Sequence, residues 1–147
     1  MQTIRTLAIA FAITVELAVP INPGRADVPT FVGNSVVIED AVISAGKKGE
    51  RSVVRFRLVN DSHAAVHLMG VETDTAESAE LVARIGDLET TTLESIGAGS
   101  GEVLDLTTSH LWYELGPLTR DLSVGETITM RVHLAGASLS VPLHVHE

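Results

Sequence analysis

Residues 127–134 read Thr-Ile-Thr-Met-Arg-Val-His-Leu, and the regular alternation of their side chains decides the fold class. The even positions are all apolar and the odd positions are all polar. Because successive side chains of a β-strand point to opposite faces, this pattern predicts a strand with one buried face. Residues 51–59 repeat it, with an apolar face of Val54, Phe56 and Leu58 opposite Arg55 and Arg57.

Further strands are predicted on both sides of these two. They cover residues 36–43, 65–73, 80–85, 90–96, 103–106, 110–115 and 138–145. In the third strand of the chain, residues 65–73, we place His67, Met69 and Val71 on one face. Only residues 75–84 could carry a short helix, and a loop followed by a strand is preferred there. About eight short strands separated by Gly and Pro turns predict an all-β domain, an antiparallel sandwich or a small barrel.

The composition restricts the class of protein further. The 147 residues fit one domain, and with 45% hydrophobic but only 3% aromatic residues the core must be aliphatic. The formal net charge of −9 argues against nucleic acid and against anionic lipid surfaces as partners. The chain has no cysteine, which excludes thiol catalysis, cysteine–zinc sites and iron–sulfur clusters.

The first residues have the pattern of an export signal. Arg5 precedes an apolar run over residues 7–15 that continues after Glu16 to Ile21, and small residues at Gly24 and Ala26 predict cleavage after Ala26. We therefore expect a signal peptide at residues 1–26 and a single exported, periplasmic domain at residues 27–147. The alternative is an uncleaved anchor, although the run is shorter than the roughly 20 residues that span a bilayer.

The order of several segments resembles the PCu(A)C family of periplasmic copper chaperones. The segments are Asn60-Asp61 at a strand end, Leu68-Met69-Gly70, Leu93-Glu94-Ser95-Ile96 before the glycines of residues 97–101, His110-Leu111-Trp112-Tyr113-Glu114-Leu115, and Leu122-Ser123-Val124-Gly125-Glu126 before a hairpin with Val141-Pro142. The resemblance covers residues 36–145. It implies a cupredoxin-like antiparallel Greek-key β-sandwich of about eight short strands that binds Cu(I) through two histidines and two methionines.

The metal ligands of that family are mostly missing from this chain. The first histidine would fall near Val82, and the middle methionine would fall near Asp87 or Leu88. His110 matches the late histidine, but the methionine two residues later is Trp112, whose indole does not replace a soft thioether. The resemblance therefore implies a copper chaperone with a degenerate site. It would carry or deliver copper in the periplasm towards a copper-dependent oxidase or its assembly factors.

Other histidines offer alternative ligands. His144 and His146 lie on one face at the C-terminus, and together with His110 they could bind Cu(II), Zn(II) or Ni(II), unless the tail is merely solvated. His67 and Met69 could ligate a soft metal, although an ordinary half-buried strand face is the simpler interpretation. The metal is expected to be copper. Cu(I) follows from the resemblance, while Cu(II) or no metal stays open.

A second hypothesis makes the chain a periplasmic interaction module that binds no metal. Trp112 and Tyr113 would then form an exposed partner contact. No enzyme is expected, because the chain has no G-x-S-x-G motif, and Ser100 in the glycine-rich residues 97–101 does not complete one.

Overall fold

Ten strands make up the part of the chain that the computed structural model describes, residues 35–108 and 110–147. They are β1 (Val36–Ser44), β2 (Ser52–Asn60), β3 (Val66–Thr73), β4 (Ala79–Ile85), β5 (Glu89–Leu93), β6 (Ile96–Ala98), β7 (Val103–Asp105), β8 (Leu111–Leu115), β9 (Thr127–Leu134) and β10 (Ala137–His146). The all-β class is confirmed. The predicted strand at residues 90–96 is instead two strands, β5 and β6. The signal-peptide prediction lies outside the described residues.

The strands form one sheet that nearly closes around the core. Their order is β5-β4-β8-β2-β1-β10-β9-β3-β6, and β7 also pairs with β2. All pairs are antiparallel, as predicted, except β1 with β10, which run parallel. Near the ends of the order, Met69 of β3 and Leu81 of β4 line one cavity of about 360 Å³.

The core is aliphatic, as the composition predicts, with one aromatic pair at its centre. Val54, Phe56 and Leu58 of β2 are all fully buried, which confirms the apolar face predicted for this strand. The rings of Phe56 and Tyr113 stack with centroids 6.1 Å apart and planes 9° apart. In the described residues no helix has the length and apolar character needed to span a membrane.

Two β-bulges change which residues of a strand face the core. In β1 the buried positions are Val36 and Ile38, then Ala41 and Ile43, and the register shifts between them, where Asp40 has a φ of 53°. One extra residue reverses the alternation of a strand, so both apolar pairs reach the core.

A similar shift in β3 buries Val71. The register of β3 against β9 shifts between Leu68 and Gly70, and both Leu68 and Val71 are buried. The prediction that Val71 shares a face with His67 and Met69 is therefore wrong, because it assumed an unbroken alternation.

Candidate functional site

Neighbouring strands β4 and β8 bring together the positions to which the family resemblance pointed. Val82 pairs with Trp112 in an antiparallel ladder. Two residues further along β4, the Arg84 backbone N–H donates to the His110 carbonyl at 2.9 Å. Directly paired residues project from the same face of a sheet. Val82 and Trp112 therefore lie side by side on the outer face, next to the residue that precedes β8, His110.

The Trp112 indole lies between two guanidinium groups. The Arg55 guanidinium is 5.9 Å from the ring centroid, and that of Arg84 is 5.6 Å from it. Cations at these distances are attracted to the negative face of an indole. Trp112 itself is half-buried. Val82 is only 7% exposed although it lies on the outer face, and the large ring beside it accounts for this.

The charges of these two arginines are not neutralised by carboxylates within the described residues. The other four described arginines all form ion pairs with Asp or Glu side chains: Arg51, Arg57, Arg120 and Arg131. Arg55 instead donates to the backbone carbonyls of Thr107 and Thr108. A protein with a net charge of −9 thus carries a local positive spot around Trp112.

An exposed apolar side chain of the β4–β5 turn lies at the same end of β4 as Arg84. Leu88 is 95% exposed, whereas Ile85, which follows Arg84 in the strand, points to the opposite face. The turn also contains the position where the family's middle methionine would fall. We call the five residues Arg55, Arg84, Leu88, His110 and Trp112 the Trp112 surface. From the sequence alone only His110 and Trp112 are candidate site residues, because pairing between distant strands brings the arginines to them.

His110 is the one imidazole on the Trp112 surface, and it is exposed. His144 and His146 are also exposed, and they share one face of β10 as the sequence predicts. His144 pairs with Val42 of β1, and its Nδ1 lies 3.1 Å from the Thr127 hydroxyl.

The three histidines do not form one site. His146 pairs with Ser44 of β1, and the Ser44 carbonyl accepts a hydrogen bond from the Ser52 hydroxyl of β2. Ser52 in turn pairs with Leu115, the last residue of β8. His146 is therefore level with the end of β8. His110 lies five residues before Leu115, which is about 17 Å along the strand, and three strands away from β10 in the sheet. A joint site of His110, His144 and His146 is therefore not formed. The described residues contain no group of three or more His, Cys, Asp or Glu side chains able to hold a metal.

Tyr113 is a core residue and not part of an exposed aromatic pair. It is 2% exposed, and it pairs with Val54 of β2. The prediction that Trp112 and Tyr113 are both exposed is wrong for Tyr113, because adjacent residues of a strand point to opposite faces. Burial raises the pKa of Tyr113 far above its ordinary value of 10.

His67 lies on β3, which pairs with β6 and β9 and with no strand of the Trp112 surface. Together with His63 it lines a separate cavity of about 370 Å³ whose other walls are mainly alanine, valine and leucine side chains. Its ring lies against Gly97 of β6, about 3.3 Å from where a Cβ would stand. Met69 is 50% exposed but lines the different cavity between β3 and β4.

Comparison with known proteins finds similarity in structure but not in sequence. The sequence matches no family model and no curated protein. The structure is similar to the copper-bound PCuAC domain from PmoF2, with a TM-score of 0.68 and 18% identity over 79% of this chain and 96% of that chain. It is also similar to the apo PCuAC domain from PmoF1, with a TM-score of 0.66 and 16% identity over 76% of this chain and 93% of that one.

A third similar structure is the solution structure of Cu(I)-DR1885 from Deinococcus radiodurans. Its TM-score is 0.54 and its identity is 21%, over 72% of this chain and 76% of that one. These structures confirm the resemblance stated from the sequence at the level of the fold. The chain has a PCuAC-like, cupredoxin-like β-sandwich.

Proposed function

We propose that this PCuAC-like chain is exported and delivers copper, and that His110 is its one remaining metal ligand. The pairing of β4 with β8 carries the proposal, because it gathers the positions of the expected ligands at one place and leaves His110 exposed there. Two structures of the same fold are described as copper-bound and as Cu(I)-DR1885, which supports copper as the metal. No catalytic role is proposed.

A single imidazole leaves most of a copper ion's coordination unfilled. Neither Val82 nor Trp112 offers a donor that replaces a thioether or a second imidazole. The guanidinium charges of Arg55 and Arg84 weaken cation binding further. The isolated chain should therefore hold copper weakly and pass it to a partner that supplies the missing ligands. A copper-dependent oxidase, or a factor that assembles one, is the partner class that we propose.

A Cu(I) competition titration tests this proposal on three proteins: the parent chain, His110→Ala, and the double variant His144→Ala/His146→Ala, which keeps the buried Val145 in place. We expect one Cu(I) per parent chain, loss of that binding in His110→Ala, and no change in the double variant, because His144 and His146 lie on β10, three strands away from β8. Copper binding by His110→Ala with the same affinity and stoichiometry as the parent chain would contradict the proposal.

Export to the periplasm is part of the same proposal. The sequence of residues 1–26 supports it, and cleavage is expected to leave Asp27 as the first residue. N-terminal sequencing of the protein recovered from the periplasm checks this directly. Recovery of the intact chain in the cytoplasm would contradict it.

The second candidate function is a periplasmic interaction module that binds no metal. The position of Arg55 and Arg84 against Trp112 favours it, because tryptophan and arginine are the side chains that contribute most often to protein interfaces. A partner that binds the His110→Ala variant as tightly as the parent chain, without copper, would favour this candidate over copper delivery.

A further inference from the structure

We infer that the Trp112 surface binds an acidic segment of a partner protein, with carboxylates of that segment held by Arg55 and Arg84. This inference deepens the interaction module proposed above, and it rests on that candidate function. It names the chemistry of the partner. It does not require copper, so its test can fail or succeed independently of the copper titration.

The charges of Arg55 and Arg84 favour an anionic ligand. Arg55 and Arg84 are the two arginines that form no ion pair with a carboxylate among the described residues, and they meet at one indole. A guanidinium presents a planar fork of donors that matches a carboxylate and stays charged at every physiological pH. The guanidinium groups of Arg55 and Arg84 can therefore bind a carboxylate that another molecule supplies.

The guanidinium groups of Arg55 and Arg84 are positioned before any partner binds. The Arg55 side chain is held by the carbonyls of Thr107 and Thr108 in addition to the indole. The Arg84 guanidinium lies near the same ring. Side chains that are ordered before binding lose less conformational entropy when the partner arrives, so more of the interaction energy appears as affinity.

An exposed apolar residue at the same end of β4 favours a polypeptide partner. Leu88, in the turn that follows β4, is 95% exposed, and Arg84 is the second-last residue of that strand. A partner that contacts Leu88 as well as Arg84 needs an apolar side chain close to its carboxylates. Phosphate polymers and anionic membranes are disfavoured, because they present many more negative charges than one short acidic segment, and two cations on a chain of net charge −9 do not offset that larger repulsion.

The test uses Trp112, the single tryptophan of the chain, as its own fluorescent reporter. The probe is a capped peptide of sequence Glu-Leu-Glu-Glu-Leu-Glu, and the control peptide carries glutamine at every glutamate. We expect a saturable change in Trp112 fluorescence with the acidic peptide and none with the control. Arg84→Gln should weaken binding about tenfold, the usual order for loss of one charge-assisted hydrogen-bonded pair.

Arg131→Gln is the matched control variant, because it removes the same charge from an ion pair with Glu72 on a different strand. It should leave the peptide affinity unchanged. An equal loss in Arg131→Gln, or no saturable change in the parent chain, would overturn the inference. So would binding to phosphatidylglycerol vesicles that is as tight as binding to the peptide. Arg84 is exposed, so its variant is expected to fold, and its unfolding midpoint in urea verifies this.

Discussion

Arg84 affects the two proposed activities of the Trp112 surface in opposite directions. Its guanidinium lies 5.6 Å from the Trp112 ring, and its backbone binds the carbonyl of His110. A positive charge this close to His110 repels a bound copper ion, while the same charge attracts a carboxylate. One substitution can therefore separate the two functions.

We predict that Arg84→Gln raises the affinity for Cu(I) about threefold and lowers the affinity for the acidic peptide about tenfold. The first number is the order expected for removing one charge close to a bound cation in a water-like dielectric. Competition titration and Trp112 fluorescence measure the two affinities. A fall in both affinities would show instead that the substitution disturbs the surface as a whole.

Asn60 is a buried polar residue that joins the β2–β3 loop and the end of β6 to the end of β2. Its side-chain NH₂ group donates to the carbonyls of Ala64, Ala98 and Gly99 at 2.8, 3.0 and 2.9 Å. Its Oδ1 accepts from the Ser62 hydroxyl at 2.6 Å. The sequence marked this residue only as the end of a strand, because its partners are up to 39 positions away.

Asn60→Ala should lower the free energy of unfolding by about 2–4 kcal/mol, since each buried group left without a partner costs about 1–3 kcal/mol. Urea unfolding of the two proteins measures the difference. Asp61→Ala, at an exposed neighbouring position, is the control and should have little effect. Equal stability of Asn60→Ala and the parent chain would contradict this role of Asn60.

At the scale of the strand, the alternation of apolar and polar residues predicted most of the fold. It failed where a bulge shifts which residues of a strand face the core. β2 and β9 keep one parity throughout, and their buried faces are those that the sequence predicts. β1 and β3 contain bulges that depend on their neighbours in the sheet, and a single strand's pattern does not specify them. β5 and β6 are separate because β5 pairs with β4 and β6 with β3, at opposite ends of the sheet order.

The bulge of β1 gives a prediction about Asp40. Its φ of 53° lies in the left-handed region, which costs an L-residue about 1–2 kcal/mol and is worst for β-branched side chains. Asp40→Val should therefore lower the free energy of unfolding by about 1–2 kcal/mol. Asp40→Gly should change it by less than about 1 kcal/mol, because glycine adopts this conformation freely. Thermal or urea unfolding measures both changes. A larger loss of stability in Asp40→Gly than in Asp40→Val would contradict the left-handed conformation of Asp40 in the bulge.

At the scale of the whole molecule, Asp121 ties the β1–β2 turn to the loop before β9. Its carboxylate accepts from the Lys48 backbone N–H at 2.8 Å and from the Lys47 ammonium at 3.3 Å. These hydrogen bonds, that of Lys48 first, hold the pKa of Asp121 below its ordinary value of 3.8. The ionised form is therefore favoured in the folded state, and its contribution to stability is present above pH 3.8.

We predict that this contribution disappears as the pH falls through the lowered pKa of Asp121. Asp121→Asn should unfold at a lower temperature than the parent chain at pH 7, and the two melting temperatures should converge below the ordinary aspartate range. Calorimetry over pH 2–7 measures both. A difference in melting temperature that stays constant down to pH 2 would show that the charge of Asp121 is not involved.

The candidate site was only partly predictable from the sequence. The resemblance identified His110 and Trp112, because both lie in one short strand segment. Arg55 comes from β2 and Arg84 from β4, and they meet only because β8 runs between those strands. The expectation of a site shared by His110, His144 and His146 failed for the same reason: the sheet order separates the start of β8 from the end of β10.

The most direct test of the account is to follow the imidazole resonances of all six histidines by NMR while Cu(I) is added to the protein. We predict that the His110 signals shift first and follow a one-to-one binding curve, and that Trp112 shifts with them. If His67, His144 or His146 responds before His110, or if no imidazole responds, the Trp112 surface is not the copper site.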